Sequence, residues 1–329
     1  HSIIQVHFLQ ILKSTYVNDQ YTCNFQNCHV MSLTPQKIRI IGVPLDLGQN
    51  RRGVDMGPAA IRCAGLREHL IKTGHQVEDF GNIPVPVKEC LPQKSAIEFA
   101  PEISSICNQV YQAAAESIDE GFCPIFLGGD HSIAIGSIGG ITVREPSGVV
   151  WIDAHGDYNI PQTSPNGNIH GMPVAVLTGI GLPELVNAGR AGAKVRTTDI
   201  VYIGTRNLDF DERTLLKKSA IKIFSMKDID ENGIAFTVAS ALESLSHLKK
   251  IHVSLDMDAL DPIYAPGVGT PDTGGLTYRE AHLLMELLSE SKKVCSMDIV
   301  EVNPVLDHQN QTAQLAVELA GSLFGRSIL

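Results

Sequence analysis

Residues 148–159 read GVVWIDAHGDYN: an unbroken apolar run that ends in Asp153, His155 and Asp157 at alternate positions. A β-branched and aromatic run with no polar face is what a strand needs when other layers cover both of its sides. Similar runs recur along the chain as IRIIGVP (38–44), PIFLGG (124–129), IVYIGTR (200–206), IKIFS (221–225), IHVSLDMD (251–258) and VCSMDIVEV (294–302). Between them lie segments with apolar residues three and four apart, PAAIRCAGLREHLIKT, EISSICNQVYQAAAESIDEG, AFTVASALESLSHL and YREAHLLMELLSES. That spacing predicts amphipathic helices. Strand and helix in alternation predict an α/β chain, three layers α/β/α, around a mostly parallel central sheet.

The chain has 329 residues with 43% hydrophobic content, enough for a sizeable core. Its formal charge of −10 argues against nucleic acid or an anionic membrane surface as partner, since both favour a basic face. No apolar run approaches the roughly 18 residues of a membrane helix. Seven cysteines, scattered and odd in number, fit a reducing compartment better than a disulfide framework, so the expected location is cytoplasmic. Residues 1–30 carry neither a signal nor a transit pattern and are expected to be a disordered or non-native extension. Their CNFQNCH lacks a fourth ligand for a zinc site. Residues 31–329 are expected to form one domain, because no linker, repeat or low-complexity block divides them.

The chemistry-bearing residues follow the strands. FLGGDHS places His131 past one run, WIDAHGD places Asp153, His155 and Asp157 past a second, and SLDMDALDP places Asp256, Asp258 and Asp261 past a third. Open α/β sheets gather their sites at the carboxyl ends of strands. In extended backbone, residues two apart share a face, so Asp153 and His155 would point the same way, with Asp157 joining them after a bend at Gly156. Each residue alone is equally at home in an ordinary turn. Four carboxylates and two imidazoles at one sheet edge would repel unless a cation held them. Oxygen-rich ligation with imidazole and no thiolate suits Mn²⁺, with Zn, Fe or Ni as alternatives. The four charges of Asp153, Asp157, Asp256 and Asp258 match two divalent ions, and a metal pair that activates water points to hydrolysis.

These residues resemble the ureohydrolases, binuclear manganese enzymes that include arginases and agmatinases. The resemblance runs from about residue 37 through GVPLDLGQNRRGVDMGPAAIR, GGDHS, DAHGDYN, SPNGNIHGMP, SLDMDALDPIYAPGVGTP, GGLTYREA and EVNPVLDHQNQTA, in that order, and is nearest to the arginases. It implies a central sheet of about eight strands and two Mn²⁺ per subunit. One ion would be held by His131, Asp153, Asp157 and Asp256, and the other by Asp153, His155, Asp256 and Asp258, with Asp153 and Asp256 bridging. It further implies a metal-bridging hydroxide that attacks the guanidinium carbon of L-arginine, with Asp157 accepting its proton, to give L-ornithine and urea. Glu301 would pair with the guanidinium and His170 would shuttle protons. Asn159, Ser164, Asn166 and Asn168 would face the α-carboxylate, Asp209 the α-ammonium, and Thr270 the pocket. Asn166 replaces a more usual serine, and Asp272 brings an acid that agmatinases more often carry, so agmatine or another guanidino compound is the alternative substrate, with a non-catalytic metal-binding homologue as a third reading that the intact ligand set disfavours. A trimer or hexamer is implied as well, with Arg279 and Glu280 at an intersubunit contact.

Overall fold

The computed structural model describes residues 35–325. The readings of residues 1–30, including the CNFQNCH segment, lie outside the described residues. Eight strands form one sheet: β1 (Lys37–Val43), β2 (Gln76–Asn82), β3 (Cys123–Gly128), β4 (Gly148–Ile152), β5 (Ile200–Thr205), β6 (Lys222–Ser225), β7 (Ile251–Asp256) and β8 (Val294–Val300). Their order is β2-β1-β3-β8-β7-β4-β5-β6, and every pairing is parallel.

The apolar runs become strands because they are buried on both faces. On one face Ile40, Leu127, Val150, Ile152, Val253 and Ile299 pack against residues of helices Gly57–Cys63, Ile234–Ser244, Tyr278–Glu290 and Gln311–Leu323. The opposite face divides into two clusters. Ile41 and Phe126 pack with residues of helix Ala100–Asp119, and Val149, Trp151 and Tyr202 pack with residues of helices Ala134–Ile141 and Pro173–Leu177. The three layers expected from the sequence are present.

Three local expectations need correction. The seven apolar runs miss β2, whose QVEDFGN is almost wholly exposed. It lies at the sheet's edge with one neighbour, so no apolar pattern is required of it and its charges suit that position. The single helix expected over residues 58–73 is two, Gly57–Cys63 and Leu66–Lys72, parted by Gly65 at φ +89°. That left-handed turn is cheap for glycine and ends the first helix. Finally, residues 153–157 are not extended: β4 stops at Ile152, the chain bends at Ala154 and His155 rather than at Gly156, and Asp157 takes a left-handed φ of +48°.

The strand order matters for function. The neighbours β3, β8, β7, β4 and β5 are far apart in sequence but adjacent in the sheet, and each ends in a segment that carries candidate site residues.

Candidate metal centre and substrate cleft

At the end of β3, Asp130 turns the chain by accepting from the Gly48 and Ser132 amides at 2.8 and 3.0 Å, and this sets His131 at the mouth of the sheet. The His131 ring is fully buried, stacks on Trp151 with centroids 3.9 Å apart, and meets the Ser254 hydroxyl through Nε2 at 2.9 Å. Its Nδ1 therefore faces inward. Asp153 Oδ2, Asp157 Oδ2 and Asp256 Oδ2 stand 3.2, 3.1 and 3.2 Å from it.

A second group joins the first through Asp153. Its Oδ1 lies 3.4 Å from His155 Nδ1, which is also 3.2 Å from Asp258 Oδ2. The carboxylates are oriented by their surroundings: the Trp151 indole N–H donates to Asp153 Oδ2 at 3.0 Å, the Asp258 amide to Asp256 Oδ1 at 2.8 Å, and the Thr270 hydroxyl to Asp258 Oδ2 at 2.8 Å. Two sets of donor atoms result, His131, Asp153 and Asp256, and Asp153, His155 and Asp258, each compact enough for one metal ion.

The residues fit a cation, and His131 is the test. Its Nδ1 is buried and has no hydrogen bond of acceptable direction, although three carboxylate oxygens surround it. A buried nitrogen left unpaired in that position is costly. Donor atoms about 3.1 Å apart are spaced as the ligands of a cation with bonds of roughly 2.2 Å. The titration behaviour points the same way. Burial and the Asp258 and Asp153 charges push Asp256 well above the usual carboxylate range, and burial with the Asp153 charge carries Asp157 up to about 6. Burial opposes ionisation of Asp153 too, but His131 and His155 outweigh it and hold that carboxyl well below its ordinary value. The cluster thus favours positive charge in its midst.

Beside this centre lies a cleft of about 200 Å³, lined by His155, Asp157, Asp256 and Asp258 on one side and by residues of the 159–171 loop on the other. Asn159, Ser164, Asn166, Asn168, His170, Asp209 and Thr270 all reach its wall. The loop is cross-braced: Asn159 Nδ2 donates to Asp209 Oδ2 at 3.0 Å, and Thr163 donates to Asn159 Oδ1 at 2.8 Å. Asn166 Oδ1 accepts from the Asn168 amide at 2.9 Å and the Ser164 hydroxyl at 3.3 Å, so its amide nitrogen is the group left to face a ligand. Asp272 is not part of the wall, whereas Thr270 is.

Glu301 follows β8 at φ +65°, an uncommon conformation for a residue with a side chain. It is almost wholly buried; Oε1 accepts from the His131 amide and meets His170 Nδ1, both at 3.0 Å, while Oε2 accepts from Gln49 Nε2 at 2.9 Å. A carboxylate has about four acceptor directions, so one remains on Oε2. A Cβ at Gly269 would stand 3.1 Å from Oε2, and Glu301 lies behind the cleft rather than on its wall. Burial lowers the His170 imidazole, but the charges of Glu301, Asp157 and Asp130 carry it up to about 9, so it is protonated at neutral pH. The sequence placed Glu301 and His170 separately; the fold makes them an ion pair.

Sequence reasoning missed Gln49, Asn207 and Glu212. Glu212 lines the cleft and accepts from the Tyr158 amide at 2.9 Å, and burial raises its carboxyl to about 8. Its signal was available, since Asp209 and Glu212 make the D-x-x-E capping box of helix Phe210–Leu216. Nothing local marks Gln49. Conversely, Asp261, the third acid of SLDMDALDP, caps the Ile263 and Gly274 amides and belongs to neither donor set.

Comparison with known proteins agrees with this geometry. The sequence model of the arginase family matches residues 36–325. The arginase of Bacillus caldovelox is 46% identical over 299 residues, covering 89% of this chain and 99% of that protein. Its crystal structure superposes with a TM-score of 0.86, at 45% identity over 89% of this chain and all of the other. The arginase of Bacillus subtilis is likewise 46% identical over 293 residues, with the same shares of the two chains. A structure of the Entamoeba histolytica arginase in complex with L-ornithine is 30% identical, with a TM-score of 0.80, over 89% of this chain and all of that one.

Proposed function

The chain belongs to the arginase family, and from that membership we propose that it is an amidinohydrolase converting L-arginine and water to L-ornithine and urea. The observation that carries the reading is the convergence of three carboxylate oxygens on the unpaired Nδ1 of His131, beside a cleft whose far wall presents side-chain amides. His131, Asp153, Asp157 and Asp256 would hold one manganese ion, and Asp153, His155, Asp256 and Asp258 the other. When bound, such a pair supplies the Lewis acidity that turns water into a nucleophile near neutral pH.

The protein's own groups do the rest. Glu301 would take a guanidinium N–H, and its charge, held by Gln49 and the His131 amide, complements the planar cation. Asp157 receives the proton of the attacking water. His170, kept protonated by its neighbours, gives a proton to the departing amine as the tetrahedral carbon collapses. At the other end of the cleft the Asn166 amide nitrogen, Ser164 and Asn168 face the α-carboxylate, and Asn159 positions Asp209 toward the α-ammonium. Because Asn166 Oδ1 is already occupied, this residue can offer a ligand only donors, which suits arginine and gives an amine such as agmatine nothing to bind. Asp272, standing off the wall, does not oppose that preference.

Residues 31–329 act as one catalytic unit in this reading. The five cysteines among the described residues are all free, which supports a cytoplasmic setting. No helix among those residues is long and apolar enough to cross a membrane. Assembly into trimers or hexamers through the exposed Arg279 is part of the proposal and is checked by light scattering; Glu280 already has an intrachain role, capping Thr277. Urea release by Mn²⁺-loaded protein, measured with arginine, agmatine and guanidinobutyrate, tests the function. Turnover of arginine is expected; turnover of agmatine without arginine would overturn the assignment.

A further inference from the structure

Arg206, just past β5, donates to main-chain carbonyls and to nothing else that the structure records. Its Nη2 meets Asp258 O at 2.7 Å, Asp272 O at 2.6 Å and Leu260 O at 3.4 Å, its Nη1 meets Ala259 O at 3.1 Å, and its Nε meets Thr273 O at 3.3 Å. The main-chain amides of Arg206 and Asn207 both donate to Ala154 O, at 2.8 and 3.0 Å. Ala154 lies between Asp153 and His155. The side chain therefore fastens two segments, the turn with Asp258 and the loop with Thr270, whose hydroxyl in turn holds Asp258 Oδ2, while the main chain of residues 206 and 207 holds the segment with His155. A planar fork with five donors can bind several carbonyls at once, which a lysine ammonium on a flexible stem cannot do in the same geometry.

The other half of the centre is held by different groups. His131 rests on Ser254, Trp151 and the carboxylate of Glu301, and the Asp157 carbonyl accepts from Val174; none of these touches Arg206. We infer that Arg206 is a positioning residue whose side chain sets the geometry of the Asp258 donor and leaves the His131–Asp157 donors to their own supports. The inference rests on the two-ion reading above. Its consequence is that the two ions are held with separable stabilities, one of them dependent on a residue that touches neither ion nor substrate.

The test uses the full chain stripped of metal and titrated with Mn²⁺ alone, followed by calorimetry and by the electron paramagnetic resonance signal that distinguishes single from spin-coupled ions. For Arg206→Met, one binding step should stay at the wild-type affinity and the other should weaken by roughly 10- to 100-fold, the usual effect of removing a residue that orients metal ligands. The coupled signal should then appear only at higher Mn²⁺ than in the wild type. Should R206M fail to fold, R206K keeps the charge without the fork and is read the same way. Both steps weakened alike, or both unchanged, would overturn the role of Arg206 while leaving the two-ion centre standing. A wild-type chain that takes up fewer than two ions would bring down both.

Discussion

The acidic centre and the 159–171 loop face each other across one cleft, yet they are built by opposite means. Asp153, Asp256, Asp258 and His131 are buried at strand ends, and each is oriented by a fixed neighbour: Asp153 by Trp151 of its own strand, His131 by Ser254 of β7, Asp256 by the Asp258 amide and Asp258 by the Thr270 hydroxyl. The loop is more exposed and braces itself, with Ser164, Asn166, Asn168, Asn159 and Thr163 bonded among one another. Where bond-making atoms must be held to a fraction of an ångström, the sheet supplies the rigidity. Where a ligand's outline must be matched, a self-bonded loop allows residue changes that leave the sheet untouched.

The strongest way to break the contrast is to remove a carboxylate from the rigid side. Asp256→Ala should lose an ion and abolish urea release together, read by metal analysis of the dialysed protein and by turnover; full metal content would contradict the ligand role. Next in size, His170→Ala should lower kcat by roughly 10²- to 10⁴-fold, the range for general acid–base groups, with metal content intact. Loss of both would place His170 in the centre instead of beside it. Its protonation also has a stability signature in the metal-free protein. A histidine raised to about 9 contributes stability that is complete below its unfolded value near 6.5 and is lost as pH climbs through about 9. The stability advantage of the wild type over H170A should therefore shrink across that window, as measured by urea denaturation at stepped pH.

On the loop, Asn166→Ala should raise KM for arginine and lower kcat/KM by roughly 10- to 100-fold, the worth of one hydrogen bond to a charged group. Metal affinity should not change, and a shift there would mean the two regions are not separable. Smallest is Ser254→Ala, which removes only the hydroxyl behind His131; about a tenfold loss of Mn²⁺ affinity with unchanged KM is expected.

How much of this was legible in the sequence depends on whether a residue's surroundings are local. The strand runs were plain because a buried parallel strand must be apolar on both faces, and β2 escaped because an edge strand need not be. That His131, Asp153, Asp256 and Asp258 would gather at the strand ends was legible from their places at the ends of those runs. Their directions were not. Asp157 reaches the centre through a left-handed turn that alternation along a strand does not describe, and the Glu301–His170 pair joins residues 131 positions apart. Gln49 and Arg206 carry no signal of their own, since glutamine after a turn and arginine after a strand are ordinary.

By itself, then, the sequence determined which buried segments would be strands and that their ends would carry the acids, because burial, periodicity and charge act on residue types wherever they sit. The tertiary structure alone decided which ends would meet. The order β3-β8-β7-β4-β5 brings five separate segments to one edge of the sheet, and only there do Asp153 acquire His131 as a neighbour, Glu301 its partner His170, and the Arg206 side chain two segments to join. Distances of about 3 Å between residues more than a hundred positions apart arise from packing, and no local pattern encodes them.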